Sequence, residues 1–167
     1  MLYFIATPIG NLKDISIRAL EVLKEVDLIA CEDTRHSLKL LSSYEIKKPL
    51  ISYHKFNEQA SSEKIISELI SGKNVAVISD AGTPVISDPG SVLIDKLIEN
   101  NLEFTVIPGA CAFVPALLLS GLGKGKFLFY ARKISFDRVV EAMKETGHDL
   151  SPSYKETAEA GLAKIKL

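Results

Sequence analysis

Apolar positions in the first 120 residues come in two alternating textures. Short unbroken runs at residues 2–6, 28–31, 75–78 and 104–107, and a weaker one at 49–53, are too brief for helices and rich in Ile, Val and Leu. Runs of that kind predict strands buried on both faces. Between them, apolar residues recur at three- and four-residue spacing, the signature of a helix with one buried stripe. Residues 15–26 carry Ile17, Leu20, Val22, Leu23 and Val26, with Asp14 placed as an N-cap. Residues 37–43 form a shorter helical stretch. Residues 61–71 carry Ile65, Ile66, Leu69 and Ile70 and close at Gly72, and residues 91–100 carry Val92, Leu93, Leu97 and Ile98. A last helix is predicted over 112–120. This alternation predicts an α/β fold with a mostly parallel sheet flanked by helices. Right-handed crossovers then place all strand-end loops along one rim, where open α/β sheets bind ligands.

The texture changes at Gly121, Gly123 and Gly125, a small-residue hinge followed by a strand pattern at 127–130 and helix patterns at 136–144 and 154–165. One strand and two helices do not close a core of their own. The expected organisation is an N-terminal α/β domain over 1–121 and part of a second, shortened α/β domain over 122–167.

Composition refines this picture in three places. The net charge of -1 announces no polyanion-binding protein, but it is uneven: residues 1–121 hold 11 basic against 15 acidic residues, and residues 122–167 hold 9 against 6. That tail fits a weak nucleic-acid footprint and equally a solvated helix face. Cys31 and Cys111 sit in apolar settings without CxxC spacing, as buried free thiols of a reducing compartment do. The opening MLYFIATPIG has no basic n-region, and no apolar run reaches the roughly 18 residues of a membrane span. A cytoplasmic protein without membrane association is expected.

The unusual residues gather at the predicted strand ends. Residues 79–90, SDAGTPVISDPG, place two glycines, two prolines, two carboxylates and three hydroxyls in one loop. Glycine reaches positive φ freely and proline locks φ, so the backbone there is set on an unusual path and can offer its polar groups to a ligand. No GxxxxGK[ST] and no GxGxxG occurs, which disfavours phosphate cradling. Pro108-Gly109 and the small residues Ala110, Cys111 and Ala112 leave room for a ligand, or start a helix. Glu32-Asp33-Thr34-Arg35-His36 could bind a phosphate or hydroxyl through Arg35, orient a nucleophile through a carboxylate, or form an ion pair capping a helix. Thr7-Pro8-Ile9-Gly10 by itself reads as a turn. His36 and His54 are too far apart, and without carboxylate spacing, to suggest a metal site; both read as ordinary loop or surface residues.

Taken together, TPIGNLKDIS, LIACEDTRHS, VAVISDAGTPVISDPG and VIPGACAFVPALLLSGL, in this order and spacing over residues 1–122, resemble the bacterial 16S rRNA (cytidine-2′-O)-methyltransferases of the tetrapyrrole methylase superfamily. The resemblance implies a two-domain α/β fold, S-adenosylmethionine in the cleft between domains, a homodimer, and small ribosomal subunit RNA as partner. It implies that Ile9, Asp80, Gly82, Thr83, Pro84, Pro108, Gly109, Cys111 and Ala112 face the cofactor, and that Glu32, Asp33 and Arg35 serve catalysis or substrate positioning. Ala110 and Cys111 stand where that family usually has proline then serine. A tetrapyrrole C-methyltransferase, or a cofactor-binding module without catalysis, would use the same loops.

Overall fold

The computed structural model describes residues 1–85 and 88–121. Expectations for Ile86 and Ser87, and for everything from residue 122 onward, lie outside those residues. The described chain alternates strand and helix throughout: β1 (Leu2–Ile5), α1 (Ile17–Glu25), β2 (Leu28–Cys31), α2 (Thr34–Ser43), β3 (Leu50–Ser52), α3 (Glu58–Ile70), β4 (Val75–Ile78), α4 (Ser91–Glu99), β5 (Phe104–Ile107) and α5 (Phe113–Leu119). The strands form one sheet in the order β3-β2-β4-β1-β5, and every pair is parallel.

The continuous apolar runs have a simple cause: side chains alternate across each strand and both faces are covered. Leu2 and Phe4 of β1, Leu28 and Ala30 of β2, and Val75 and Val77 of β4 point into one layer with Ile65, Ile66 and Leu69 of α3 and Leu93 and Leu97 of α4. Ile5, Ile29, Cys31, Ala76 and Ile78 point the other way, onto Ala19 and Leu23 of α1 and Leu41 of α2. The two edge strands are the exceptions: β3 is half-buried throughout, and β5 has Phe104 and Val106 exposed and Ile107 buried. Phe104 still meets Phe4 edge-to-face, ring centroids 6.2 Å apart.

This topology creates the site. The chain leaves β1 through α1 toward β2 and β3, and then reverses, through α3 and α4, toward β4 and β5. β1 and β4 are sheet neighbours, yet α1 and α4 pack on opposite faces. The loops leaving these two strands therefore part company at the rim and open a crevice.

Several boundaries differ from the sequence expectation, and capping explains the differences. α1 starts at Ile17, where Ser16 Oγ accepts the Ala19 N–H at 3.1 Å. Asp14 instead ends a short 3-10 turn, Leu12–Asp14, capped by Asn11. α2 begins three residues early because Asp33 caps it. α3 extends back to Glu58, and Gly72 closes it at φ +89° as expected. Cys111 is half-buried rather than buried; both thiols are free. Among the described residues no helix is long and apolar enough to cross a membrane. Ser16→Ala is expected to cost about 1 kcal/mol in denaturant unfolding. Asp14→Ala should stay within about 0.5 kcal/mol.

Candidate active site

Thr7 bridges the crevice. It follows β1 and is buried, and it pairs with Gly82 of the loop after β4 in a single antiparallel bridge: the Thr7 N–H donates to Gly82 O at 2.9 Å and the Gly82 N–H to Thr7 O at 3.0 Å. The Thr7 hydroxyl donates to Ser79 O at 3.1 Å, with Gly82 O at 3.4 Å, and Ser79 Oγ donates to Gly82 O at 3.2 Å. Two loops that the topology drives apart are thus tied at their roots.

Glycines stand where the loops touch. Gly82 has φ +83°, and a Cβ there would lie 3.4 Å from Ile9 Cγ2. A Cβ on Gly109 would meet the Ala6 Cβ at 3.0 Å, so the strand-β5 loop lies directly against the end of β1. Thr83 Oγ1 donates to Ala110 O at 3.4 Å, and Pro84 is buried. Val85 holds φ +78°, a strained setting for a β-branched residue. Ile9, Gly82, Thr83, Gly109 and Ala110 are therefore one contiguous surface.

On the β2 side the rim is acidic. Asp80 Oδ1 accepts the Asp33 N–H at 3.3 Å, joining the β2 and β4 loops. Burial raises the Glu32 carboxyl above the usual range, the negative charges of Asp88 and Asp80 add to the effect, and His54 opposes it. Asp88 is raised by burial and by Asp80, with a Ser79 hydrogen bond opposing. Asp33 is different in kind. Its carboxylate accepts the Arg35 N–H at 2.8 Å and the guanidinium at 2.9 Å, which holds its pKa down at about 2.

Of the sequence-selected trio, then, only Glu32 stands in the acidic cluster. Asp33 and Arg35 form the helix-capping ion pair that was one of the readings of that segment, with the Arg35 side chain 87% exposed. Of the residues selected for the cofactor, Ile9 stands against Gly82, Asp80 and Thr83 bond to the β2 and β5 loops, and Pro84 is buried. Pro108, Gly109 and Ala112 are exposed on the β5 loop, and Cys111 is half-buried beside them. Among the described residues no cluster of three or more His, Cys, Asp or Glu has the arrangement for a metal ion.

Sequence reasoning missed two groups. The sequence alone reads Thr7 as part of a turn, although a hydroxyl immediately after a buried strand signals a backbone partner. Glu58 is the second: its Oε1 accepts the Gly90 N–H at 2.7 Å and the Tyr53 hydroxyl at 3.3 Å, fixing the far end of the 79–90 loop. An open cleft of about 440 Å³ also lies between the loop after β1 and α2, with Asp80 and Ala81 at its border.

Residues 1–148 match the family described as Tetrapyrrole (Corrin/Porphyrin) Methylases. The chain is 52% identical over 129 residues, 77% of its length, to a Haemophilus influenzae protein named ribosomal RNA small subunit methyltransferase I, covering 46% of that protein. The Bacillus subtilis protein of the same name is 45% identical over 149 residues, 87% of this chain and 51% of that one. The chain thus spans about half the length of the curated relatives it matches. A solved structure titled diphthine synthase superposes with a TM-score of 0.64 at 19% identity, covering 90% of this chain and 65% of that one, which supports the same fold.

An acid whose folded pKa lies above its unfolded value favours the folded state at low pH and opposes it as pH rises through the raised value. Glu32 and Asp88 are such acids. Glu32→Gln and Asp88→Asn should each raise the melting temperature at pH 7.5, by on the order of 1–2 °C. The gain should vanish near pH 4 in the same calorimetric scans.

Proposed function

We propose that this chain, which belongs to the tetrapyrrole (corrin/porphyrin) methylase family, is the N-terminal part of an S-adenosylmethionine-dependent methyltransferase acting on the ribose 2′-hydroxyl of a cytidine in small-subunit ribosomal RNA. The observation that carries the RNA reading is the identity near 50% to proteins named for small-subunit ribosomal RNA methylation. Residues 122–167, as part of a second α/β domain, belong to this reading, as do a homodimer and a cytoplasmic setting.

The crevice suits the cofactor on its chemistry. Gly82 and Gly109 permit close backbone approach, Ala110, Cys111 and Ala112 are small, and Glu32, Asp80 and Asp88 provide negative charge opposite a cationic ligand. Ile9, Asp80, Gly82, Thr83, Pro84, Pro108, Gly109, Cys111 and Ala112 would hold it. When bound, S-adenosylmethionine supplies a methyl group already activated on a sulfonium. What remains for the protein is alignment, exclusion of water and removal of one proton.

Glu32 takes that proton. A carboxylate with a raised pKa is a stronger base, and burial together with the neighbouring carboxylates raises this one. Asp33, held at about 2 by Arg35, is too weak a base and instead fixes the start of α2. Arg35 leaves one face of its guanidinium exposed to solvent, where an RNA phosphate can approach.

Incubation with methyl-labelled S-adenosylmethionine and small subunits lacking the modification tests the reading. Label on a cytidine ribose, detected by resistance of the adjacent linkage to alkali, is expected; label on no RNA would refute it. Glu32→Gln should lower kcat by roughly 10²–10⁴ and remove its rise with pH. Asp33→Asn keeps a capping side chain and should retain most of the rate. Equal rates for Glu32→Gln and wild type would sink the role of Glu32.

A further inference from the structure

The cleft between α2 and the loop after β1 meets the cofactor loops at Ile9 and Asp80, and the rest of its lining takes no part in the cofactor set. Its volume, about 440 Å³, is within the range of small-ligand sites. One wall is apolar: Ile9 and Leu12 face it, and they remain 37% and 48% exposed. The opposite wall is a polar stripe of α2, with His36, Lys39 and Ser43 at helical spacing on one face. The two walls are fixed to each other, because the Tyr44 hydroxyl just past α2 donates to Leu12 O.

The charges have a direction. Arg35, the other cation of α2, is paired with Asp33 and does not line this cleft. Lys39 has no ion-pair partner among the described residues, although it lines a cleft. Asp80 stands at the edge of the cleft, where its Oδ1 accepts the Asp33 N–H, and its charge acts on Glu32 and Asp88. An anionic chain crossing this rim is repelled there and attracted at α2. An ammonium group in a partly apolar cleft, with a hydroxyl close by, suits a phosphodiester whose sugar or base covers the apolar wall.

We propose that this cleft seats a nucleotide of single-stranded RNA flanking the methylated residue, with Lys39 on its phosphodiester and Leu12 against its sugar or base. The inference deepens the RNA reading given above and rests on it. It assigns to α2 a substrate-binding role beside the cofactor surface, with Ile9 and Asp80 on the border between the two.

Fluorescence anisotropy with a fluorescein-labelled single-stranded RNA of about 12 nucleotides tests it, on the full 167-residue chain over a series of KCl concentrations. Lys39→Ala should weaken binding about three- to tenfold and flatten the slope of log affinity against log salt by about 0.7. Lys39→Arg should restore both, and Lys64→Ala, on exposed α3 surface, should change neither. Calorimetry should find S-adenosylmethionine affinity equal in wild type and Lys39→Ala. The proposal is overturned if wild type fails to bind the RNA, or if Lys39→Ala binds it as Lys64→Ala does. It is also overturned if the lysine substitution weakens cofactor rather than RNA. RNA binding through Lys39 with no methyl transfer to small subunits would leave this inference standing and remove the catalytic reading.

Discussion

The paired hydrogen bonds between Thr7 and Gly82 sit at the one place where the sheet topology pulls its loops apart. β1 and β4 are neighbours, but their following helices lie on opposite faces, so nothing in the parallel ladder itself constrains the loops beyond Ile5 and Ile78. The bridge supplies that constraint, and the buried Thr7 hydroxyl reinforces it by donating to Ser79 O. With these roots fixed, Gly82 can stand against Ile9, Thr83 against Ala110, and Gly109 against Ala6. Three loops from separate parts of the chain then make one surface.

Electrostatics adds a second constraint that works against folding. Glu32, Asp80 and Asp88 are drawn toward one another by the same convergence of loops, and the raised pKa values of Glu32 and Asp88 express their partial burial first and charge repulsion second. Charge concentrated in this way disfavours the folded state at neutral pH and becomes useful when a cation or a proton arrives. Asp33 avoids the conflict through Arg35 and the first turn of α2, so adjacent carboxylates serve opposite ends: one organises the helix, the other stays available.

Much of the fold was legible because buried parallel strands leave an unambiguous trace. The bounds of β2, β4 and β5 coincide with their apolar runs, and even β3, read from the mixed segment PLISY, lies where expected. The resemblance carried by the four rim motifs is borne out by the family match over residues 1–148 and by the relatives near 50% identity. Helix starts were less legible, since several polar residues compete to cap: Ser16 displaced Asp14, and Asp33, singled out for chemistry, proved to begin α2. The site was readable as a set of strand-end loops but not as a geometry. Glu58 secures Gly90 from 32 residues away, and Lys39 faces Ile9 across a cleft, relations that arise only when the sheet brings distant segments together.

If the loops tied by Thr7 and Gly82 form the ligand surface, a bound ligand must protect their backbone amides. Amide hydrogen exchange with and without saturating S-adenosylhomocysteine tests it most directly. Slowed exchange at residues 79–85 and 107–112, with the helices of the opposite sheet edge unchanged, is the predicted result. Unchanged exchange in both loops, or protection confined to other segments, would place the ligand elsewhere.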